Sequence, residues 1–247
     1  ELTGISVVAD FRSRDIAAGG QGAPLVPAFH AQVLRHPYIH RVIANIGGIA
    51  NITDLPANGA VLGWDTGPGN MLLDAWIKRH RGAHYDRDGA WAASGTADPG
   101  LLDALANHDY LRQPPPKSAG REQFNLDWLD TTLAALDRSV APADVQATLL
   151  EFTAASLVDA ISRECRAAQE LHVCGGGAHN GVLMQRIRAR LPGVKVETTA
   201  ALGIDPDWME ALAFAWLARQ TLHHAPGNLP AVTGARGERI LGAIYPA

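Results

Sequence analysis

Short apolar runs bounded by turn residues dominate the start of the chain. Residues 5–9, 41–46, 49–55 and 61–64 are rich in Val, Ile and Ala, and glycine, asparagine or proline residues lie at their ends, so each run predicts a β-strand. The polar, glycine-rich residues 10–27 after the first run predict a long loop. The other three runs follow one another closely, so we expect three consecutive strands joined by tight turns.

Helical periodicity takes over in the rest of the chain, where apolar side chains recur every three or four residues. This spacing predicts helices over residues 27–36, 70–80, 98–107, 127–136, 143–168, 181–190 and 207–222. Short apolar runs at 171–174 and 194–197 lie between the last helices and predict two more strands. Three strands followed by alternating helices and strands favour an α/β fold, a mixed sheet with helices on both faces.

The composition argues for a packed globular protein and against several other classes of protein. Hydrophobic residues make up 47% of the 247 residues, enough for one large packed domain or two modest ones. The net charge of -4 argues against a nucleic-acid partner. No apolar run approaches the roughly 18 residues of a membrane-spanning helix, and no signal-peptide pattern opens the chain. Two cysteines, Cys165 and Cys174, are too few for a disulfide framework, so we expect buried, reduced thiols of a cytosolic protein.

Three glycine-rich turns, at residues 45–51, 65–70 and 175–180, each follow a predicted strand. Glycine lets backbone N–H groups approach an anion closely, and a helix N-terminus after the turn adds a favourable partial charge. A single turn of this kind is more often only a tight connection, but three in one chain favour phosphate binding. None matches the P-loop or dinucleotide-binding pattern.

Asp65 is the sharpest candidate for catalysis, because it lies where a predicted strand meets a glycine turn. A carboxylate at such a point can act as a general base or a metal partner, although a turn or helix-capping aspartate is an ordinary alternative. Arg14 lies in the first loop and suits carboxylate or phosphate recognition, or is a solvated surface residue. Glu210 lies on the last helix, which is apolar nearly all round and therefore predicted to be buried. His36 and His40 have a zinc-like spacing, but Pro37 between them argues against a site, so we expect no protein-ligated metal.

Taken together, the loops resemble anhydro-N-acetylmuramic acid kinases, members of the actin, Hsp70 and sugar-kinase superfamily. The resemblance covers residues 3–246. It is carried by Q-G-A-P-L at 21–25, N-I-G-G-I-A-N-I-T at 45–53, G-W-D-T-G-P-G-N at 63–70 and G-G-G-A-H-N at 175–180. The first string and D-T-G-P-G-N are specific to the family, whereas the triple glycine is shared across the superfamily.

The resemblance implies a function for these residues. The family uses ATP and Mg²⁺ to convert 1,6-anhydro-N-acetylmuramic acid to N-acetylmuramic acid 6-phosphate in bacterial cell-wall recycling. Asp65 matches the catalytic base, and Arg14 and Glu210 match positions that would hold the sugar. The expected nucleotide contacts are Gly47, Gly48, Gly67, Gly69, Asn70, Gly175, Gly176, Gly177 and Asn180. A cytoplasmic homodimer is also implied.

One family feature has no counterpart in the sequence. The family opens with a phosphate loop of the type G-x-S-x-D-G-x-D, and the chain, which begins at Glu1 without Met, does not contain it. The resemblance therefore implies mainly the C-terminal half of a two-subdomain kinase with a ribonuclease-H-like sheet. We expect residues 1–40 to be a remnant of the N-terminal subdomain and its substrate loop. Residues 41–247 would be the ATPase-type subdomain, with a helical insertion at about 81–140.

Two other functions stay open. A chain with mainly one wall of the nucleotide cleft would bind ATP weakly, so a truncated, non-catalytic nucleotide-binding protein is the alternative. The retained Asp65 and Arg14 count against it, because a degenerate enzyme has no reason to keep them. Another superfamily enzyme, of the phosphatase or carbamoyl-transfer type, is the third reading. The carbamoyl-transfer type would be expected to have paired metal-binding histidines, which His36 and His40 fit poorly.

Overall fold

The computed structural model describes residues 3–247, so Glu1 and Leu2, at the start of the predicted N-terminal remnant, lie outside the described residues. The strands are β1 (Val7–Ala9), β2 (Arg41–Ile46), β3 (Ile49–Leu55), β4 (Leu62–Pro68), β5 (Glu170–Cys174), β6 (Lys195–Thr198) and β7 (Ala243–Tyr245). The helices are α1 (Ser13–Ala17), α2 (Val26–Val33), α3 (Met71–Arg81), α4 (Ala90–Ala93), α5 (Pro99–Ala106), α6 (Asp109–Arg112), α7 (Leu126–Ala134), α8 (Pro142–Glu164), α9 (Gly181–Arg190), α10 (Met209–Leu222) and α11 (Pro230–Thr233).

A five-stranded mixed sheet of order β4-β3-β2-β5-β6 forms the centre of the protein. The chain runs antiparallel from β2 through β3 to β4, because tight turns join these strands. It then returns through α8 so that β5 and β6 lie parallel to β2. The prediction of a mixed sheet is confirmed.

Helices cover both faces of the sheet, as predicted, because alternate strand residues are apolar on each side. On one face Ala44, Ile52 and Trp64 pack in a large core with α3, α8 and α9. On the other face Ile43 and Leu55 pack in a smaller core with α2 and α10. Helix α8 is the centre of the larger core, which explains why the sequence pattern along it is so extensively apolar.

A separate two-stranded ribbon joins the beginning of the described chain to its end, with Val7 opposite Tyr245. The strand predicted at 5–9 is confirmed in part as β1, whereas its partner β7 was not predicted. Residues 10–27, predicted as a loop, contain α1. The short helix forms because Asp15 is fully buried, where it accepts hydrogen bonds from Asn228 and Thr233. These partners are distant in sequence, so no local pattern indicated the helix.

Two further predictions are wrong. The sequence placed a glycine turn at 65–70, but β4 continues to Pro68, because residues 62–68 pair with β3 across an irregularity at Ala50 and Asn51. Helix α10 was predicted to be buried all round, yet Leu212 is 41% exposed and Phe214 40% exposed. Only one side of α10 packs on the sheet, through Met209 and Ala213.

Candidate active site

A row of polar side chains crosses the sheet from β2 to β4. Asn45 is paired with Asn51, and Asn51 is paired with Asp65. Residues paired in this way project to the same face of a sheet. Asp65 is therefore placed by strand pairing, with two amide side chains beside it on the face that carries α2 and α10.

The three predicted glycine segments meet at one end of this sheet. Gly69 N–H donates to the Gly48 carbonyl and Asn70 N–H to the Gly47 carbonyl, each at 2.8 Å. The Asn70 side chain also donates to the Ile46 carbonyl at 3.2 Å. On the other side, the triple-glycine segment passes Ile46 so closely that a methyl group on Gly177 would overlap the Ile46 side chain. The structure therefore brings together the residues predicted to bind nucleotide.

These glycines differ in what the protein itself requires of them. A methyl group on Gly69 would overlap the Gly47 carbonyl, and one on Gly67 would lie 3.1 Å from the Leu111 side chain, so both are needed for packing. By contrast, a methyl group on Gly47, Gly48 or Gly176 would meet no protein atom closer than 3.5 Å. Packing does not explain glycine at these three positions, whereas an anion that approaches the backbone would.

A cavity of about 340 Å³ opens beside the polar row. Asn45 and Asn51 line it together with Gly176, Arg12 and Glu210. Glu210 is exposed in the first turn of α10 and faces this cavity, so its carboxylate is available to a ligand.

Arg14 lies elsewhere. Its guanidinium donates to the Ile240 carbonyl at 3.2 Å, and it lines a different cavity with Glu238 and Arg239. The structure thus places Arg12, which lies in the same loop but was not among the predicted sugar contacts, in the wall of the first cavity with Glu210. The two arginines are separated because α1 begins between them and turns Arg14 away.

A second cavity, of about 530 Å³, lies on the other side of Gly176. Asn70, Asp74, His179 and Asn180 contribute to its wall. Burial, and secondarily the neighbouring Asp86, raises the pKa of Asp74 to about 6. The Asn180 side chain accepts a hydrogen bond from Leu183 N–H and so caps α9, which gives this predicted nucleotide contact a structural role as well.

The Asp65 carboxylate is held by a segment that sequence reasoning missed. Oδ2 accepts hydrogen bonds from Ala119 N–H at 2.8 Å and from the Ser118 hydroxyl at 3.1 Å. Burial raises the pKa of Asp65, while these two donors and the nearby Lys117 ammonium act against that rise. No motif indicated this contact, because 53 residues separate Asp65 from Ser118.

His30 is a further neighbour of the candidate site that the sequence did not single out. It lies on α2, lines the first cavity and is only 2% exposed. Its Nδ1 hydrogen-bonds the Thr53 hydroxyl at 2.9 Å, and its Nε2 has no protein partner among residues 3–247. Burial lowers the pKa of His30 to about 3, so the imidazole is neutral at physiological pH.

The remaining candidates have ordinary surroundings. His40 pairs with Asp54 at 2.5 Å, and His36 accepts hydrogen bonds from the backbone of its own loop. Across the described part of the chain, no three His, Cys, Asp or Glu side chains converge as a metal site.

Cys165 and Cys174 are both buried, as predicted. None of the helices between residues 3 and 247 combines the length and the apolar character that a membrane crossing needs.

Comparison with known proteins gives a match over the whole chain. A family model described as anhydro-N-acetylmuramic acid kinase matches residues 1–247. The chain is 76% identical over 247 residues to a curated anhydro-N-acetylmuramic acid kinase of Thiobacillus denitrificans, and covers 66% of that protein. It is 59% identical to the enzyme of that name from Nitrosomonas europaea, and covers 67% of it. The chain thus spans about two thirds of the length of these relatives.

Among solved structures, the chain is similar to an activator of 2-hydroxyisocaproyl-CoA dehydratase from Clostridium difficile with bound ADPNP. The sequence identity is 13% and the TM-score 0.47, with 76% of this chain and 61% of that chain covered.

Proposed function

Because the chain belongs to the anhydro-N-acetylmuramic acid kinase family, we propose that it takes part in ATP-dependent opening and phosphorylation of 1,6-anhydro-N-acetylmuramic acid. The product is N-acetylmuramic acid 6-phosphate. One observation carries the proposal: strand pairing places Asp65 in a polar row beside a cavity, at the end of the sheet where the glycine segments meet. The general base, the sugar and the ATP phosphates would then all lie at this end of the sheet.

ATP is proposed to bind across Gly176, which lines both cavities. The second cavity would take the nucleoside, with Asn70 and Asn180 in its wall. The phosphates would lie against Gly47, Gly48 and Gly176, the positions where a methyl group would meet no protein atom closer than 3.5 Å. Mg²⁺ would be held mainly by the phosphate oxygens, and it supplies charge neutralisation during phosphoryl transfer.

Asp65 is proposed as the general base. Its carboxylate takes a proton from a water molecule, whose oxygen forms a bond to the anomeric carbon of the sugar. The bond from that carbon to the bridging 6-oxygen breaks, and the 6-oxygen takes the γ-phosphoryl group as ADP leaves. The charge on the leaving oxygen is therefore captured by phosphorus, so one carboxylate can serve both parts of the reaction.

The sugar is proposed to occupy the first cavity. Glu210 and Arg12 line its wall and offer an acceptor for sugar hydroxyls and a donor for the lactyl carboxylate. Arg14 stays a predicted sugar contact from the family resemblance. Its hydrogen bond to Ile240 would have to break first.

The whole enzyme is further proposed to be a cytoplasmic homodimer in cell-wall recycling, as the resemblance implies. Residues 1–40 would be a remnant of the N-terminal subdomain and its substrate loop, and residues 41–247 would form the C-terminal ATPase-type subdomain with a helical insertion at about 81–140. Light scattering after size-exclusion chromatography gives the subunit number directly, and a monomer at working concentration would contradict the dimer.

Coupled measurement of ADP release with 1,6-anhydro-N-acetylmuramic acid, ATP and Mg²⁺ tests the reaction. We expect turnover by the chain, its loss in Asp65→Asn, and its retention in Asp103→Asn, where the aspartate is exposed on α5. Calorimetric titration with ATP separates the alternative. A folded chain that binds ATP but has no turnover would support the non-catalytic, nucleotide-binding function instead.

A further inference from the structure

Four hydrogen bonds tie Asp65 to a single segment, residues 110–119. The Tyr110 hydroxyl donates to the Asp65 carbonyl at 2.8 Å, and Asp65 N–H donates to the Lys117 carbonyl at 3.2 Å. Ser118 Oγ and Ala119 N–H donate to the Asp65 carboxylate, both at Oδ2. The backbone and the side chain of Asp65 are therefore both held. We call Tyr110, Lys117, Ser118 and Ala119 together the Asp65 clamp.

The Lys117 side chain links the two ends of the segment that carries the clamp. Its ammonium donates to the carbonyls of Tyr110 at 2.9 Å and Leu111 at 3.3 Å, and lies 4.5 Å from the centre of the Tyr110 ring. Lys117 is only 9% exposed, which is unusual for a lysine. The two carbonyl acceptors and the Tyr110 ring offset the free-energy cost of burying its charge. The two ends of the segment are thus fixed to each other as well as to Asp65.

The two oxygens of the carboxylate differ as a result. Both donors reach Oδ2, and within the described residues no protein donor lies within hydrogen-bonding distance of Oδ1. Hydrogen bonds of this kind favour the ionised form of a carboxylate and fix its rotation. Oδ1 is therefore the carboxylate oxygen that the described residues leave available to accept a proton.

We propose that the Asp65 clamp orients the catalytic carboxylate, with Ser118 as a positioning residue that holds Oδ2 so that Oδ1 receives the proton. This inference rests on the proposed function only for the role of Asp65 as base; the clamp itself is a property of the folded chain. Ser118 acts through Asp65, so it is a positioning residue and not a catalytic one.

Carboxyl ¹³C titration of aspartate-labelled protein tests whether Ser118 holds the carboxylate by a hydrogen bond, with the Asp65→Asn variant identifying the resonance. Ser118→Ala removes one of the two donors to Oδ2, so we expect the Asp65 resonance to titrate at higher pH than in the unmodified chain. Ser118→Thr keeps the hydroxyl and should restore the original titration. Ser94→Ala is the matched control, because that exposed serine donates only to the Trp91 carbonyl.

Kinetics give the second measurement. In Ser118→Ala we expect kcat to fall on the order of tenfold, the effect of one hydrogen bond to a charged group, with KM for ATP and sugar unchanged. The acidic limb of the pH–rate profile should move to higher pH together with the titration, and Ser118→Thr should recover both.

The two hypotheses fail in different ways. If the Asp65 resonance titrates identically in Ser118→Ala and the unmodified chain, the positioning role is overturned, whatever the turnover. If the resonance shifts as expected but turnover does not depend on Asp65, the clamp exists and the proposed function is wrong.

Discussion

Asn51 and Asp65 lie opposite each other on antiparallel β3 and β4, so that an amide stands beside the carboxylate proposed as the base. An amide can hydrogen-bond to a carboxylate or to a bound water without adding charge. The neighbouring Asn45 continues the row on β2. Asp65 therefore has uncharged amides beside it in this row, while the clamp supplies hydrogen-bond donors to its carboxylate.

A second carboxylate at position 51 should disturb this arrangement. In Asn51→Asp, the like charge opposite Asp65 raises the pKa of the pair, because two neighbouring carboxylates resist ionising together. We expect the pH–rate profile to lose activity on its acidic side, by on the order of tenfold at pH 6, and to recover toward alkaline pH.

Asn51→Ala is the matched control, because it removes the amide without adding charge. Its loss of activity should be the same across the pH range. A profile for Asn51→Asp that merely scales down at every pH would show that the charge at position 51 does not act on Asp65.

The glycine turns should separate into structural and ligand-dependent positions. Gly69→Ala drives a methyl group into the Gly47 carbonyl, so we expect a loss of about 1–3 kcal/mol in the free energy of unfolding. Gly48→Ala meets only the Met71 Cβ at 3.8 Å, so its stability should stay within about 0.5 kcal/mol of the unmodified chain. ATP affinity should nevertheless fall in Gly48→Ala, because the methyl group occupies the space proposed for phosphate.

Urea unfolding and calorimetric titration with Mg²⁺-ATP measure the two effects separately. Unchanged ATP affinity in a stable Gly48→Ala variant would count against phosphate binding at this turn.

His30 should make the protein sensitive to acid. Its folded pKa of about 3 lies below that of a free imidazole, so as pH falls below about 6.5 the unfolded chain gains the proton first. Stability from this source is present above pH 6.5 and is lost as pH falls toward 3. At pH 5 the loss should be about 2 kcal/mol relative to pH 7.

His30→Asn replaces the imidazole near Thr53 with an amide, which cannot titrate. We expect it to be less stable than the unmodified chain at pH 7, but with a flatter dependence of unfolding free energy between pH 5 and 7. His84→Asn, at an exposed histidine, should keep the original slope. Parallel slopes in His30→Asn and the unmodified chain would show that His30 does not stay neutral in the folded protein.

Much of the sheet and its helices could be predicted from the sequence. The strands at 41–46 and 49–55 and the helix at 181–190 have the predicted bounds, because their apolar residues and the turns beside them are local signals. The glycine strings likewise indicated the end of the sheet where the nucleotide is proposed to bind. Their spacing is a property of the chain and needs no knowledge of distant contacts.

Other features depended on contacts between distant residues. Asp65 lies inside β4 because β3 pairs with it, although the glycine and proline that follow it predict a turn. Arg12 lines the first cavity in place of Arg14, because the buried Asp15 fixes α1 through partners near residue 230. The sequence by itself determined the family, the strand and helix pattern and the identity of Asp65 as the candidate base. Only the tertiary structure decided which oxygen of Asp65 is held and by which residues, because Ser118 and Ala119 reach it through folding of a segment whose local sequence carries no signal for that contact.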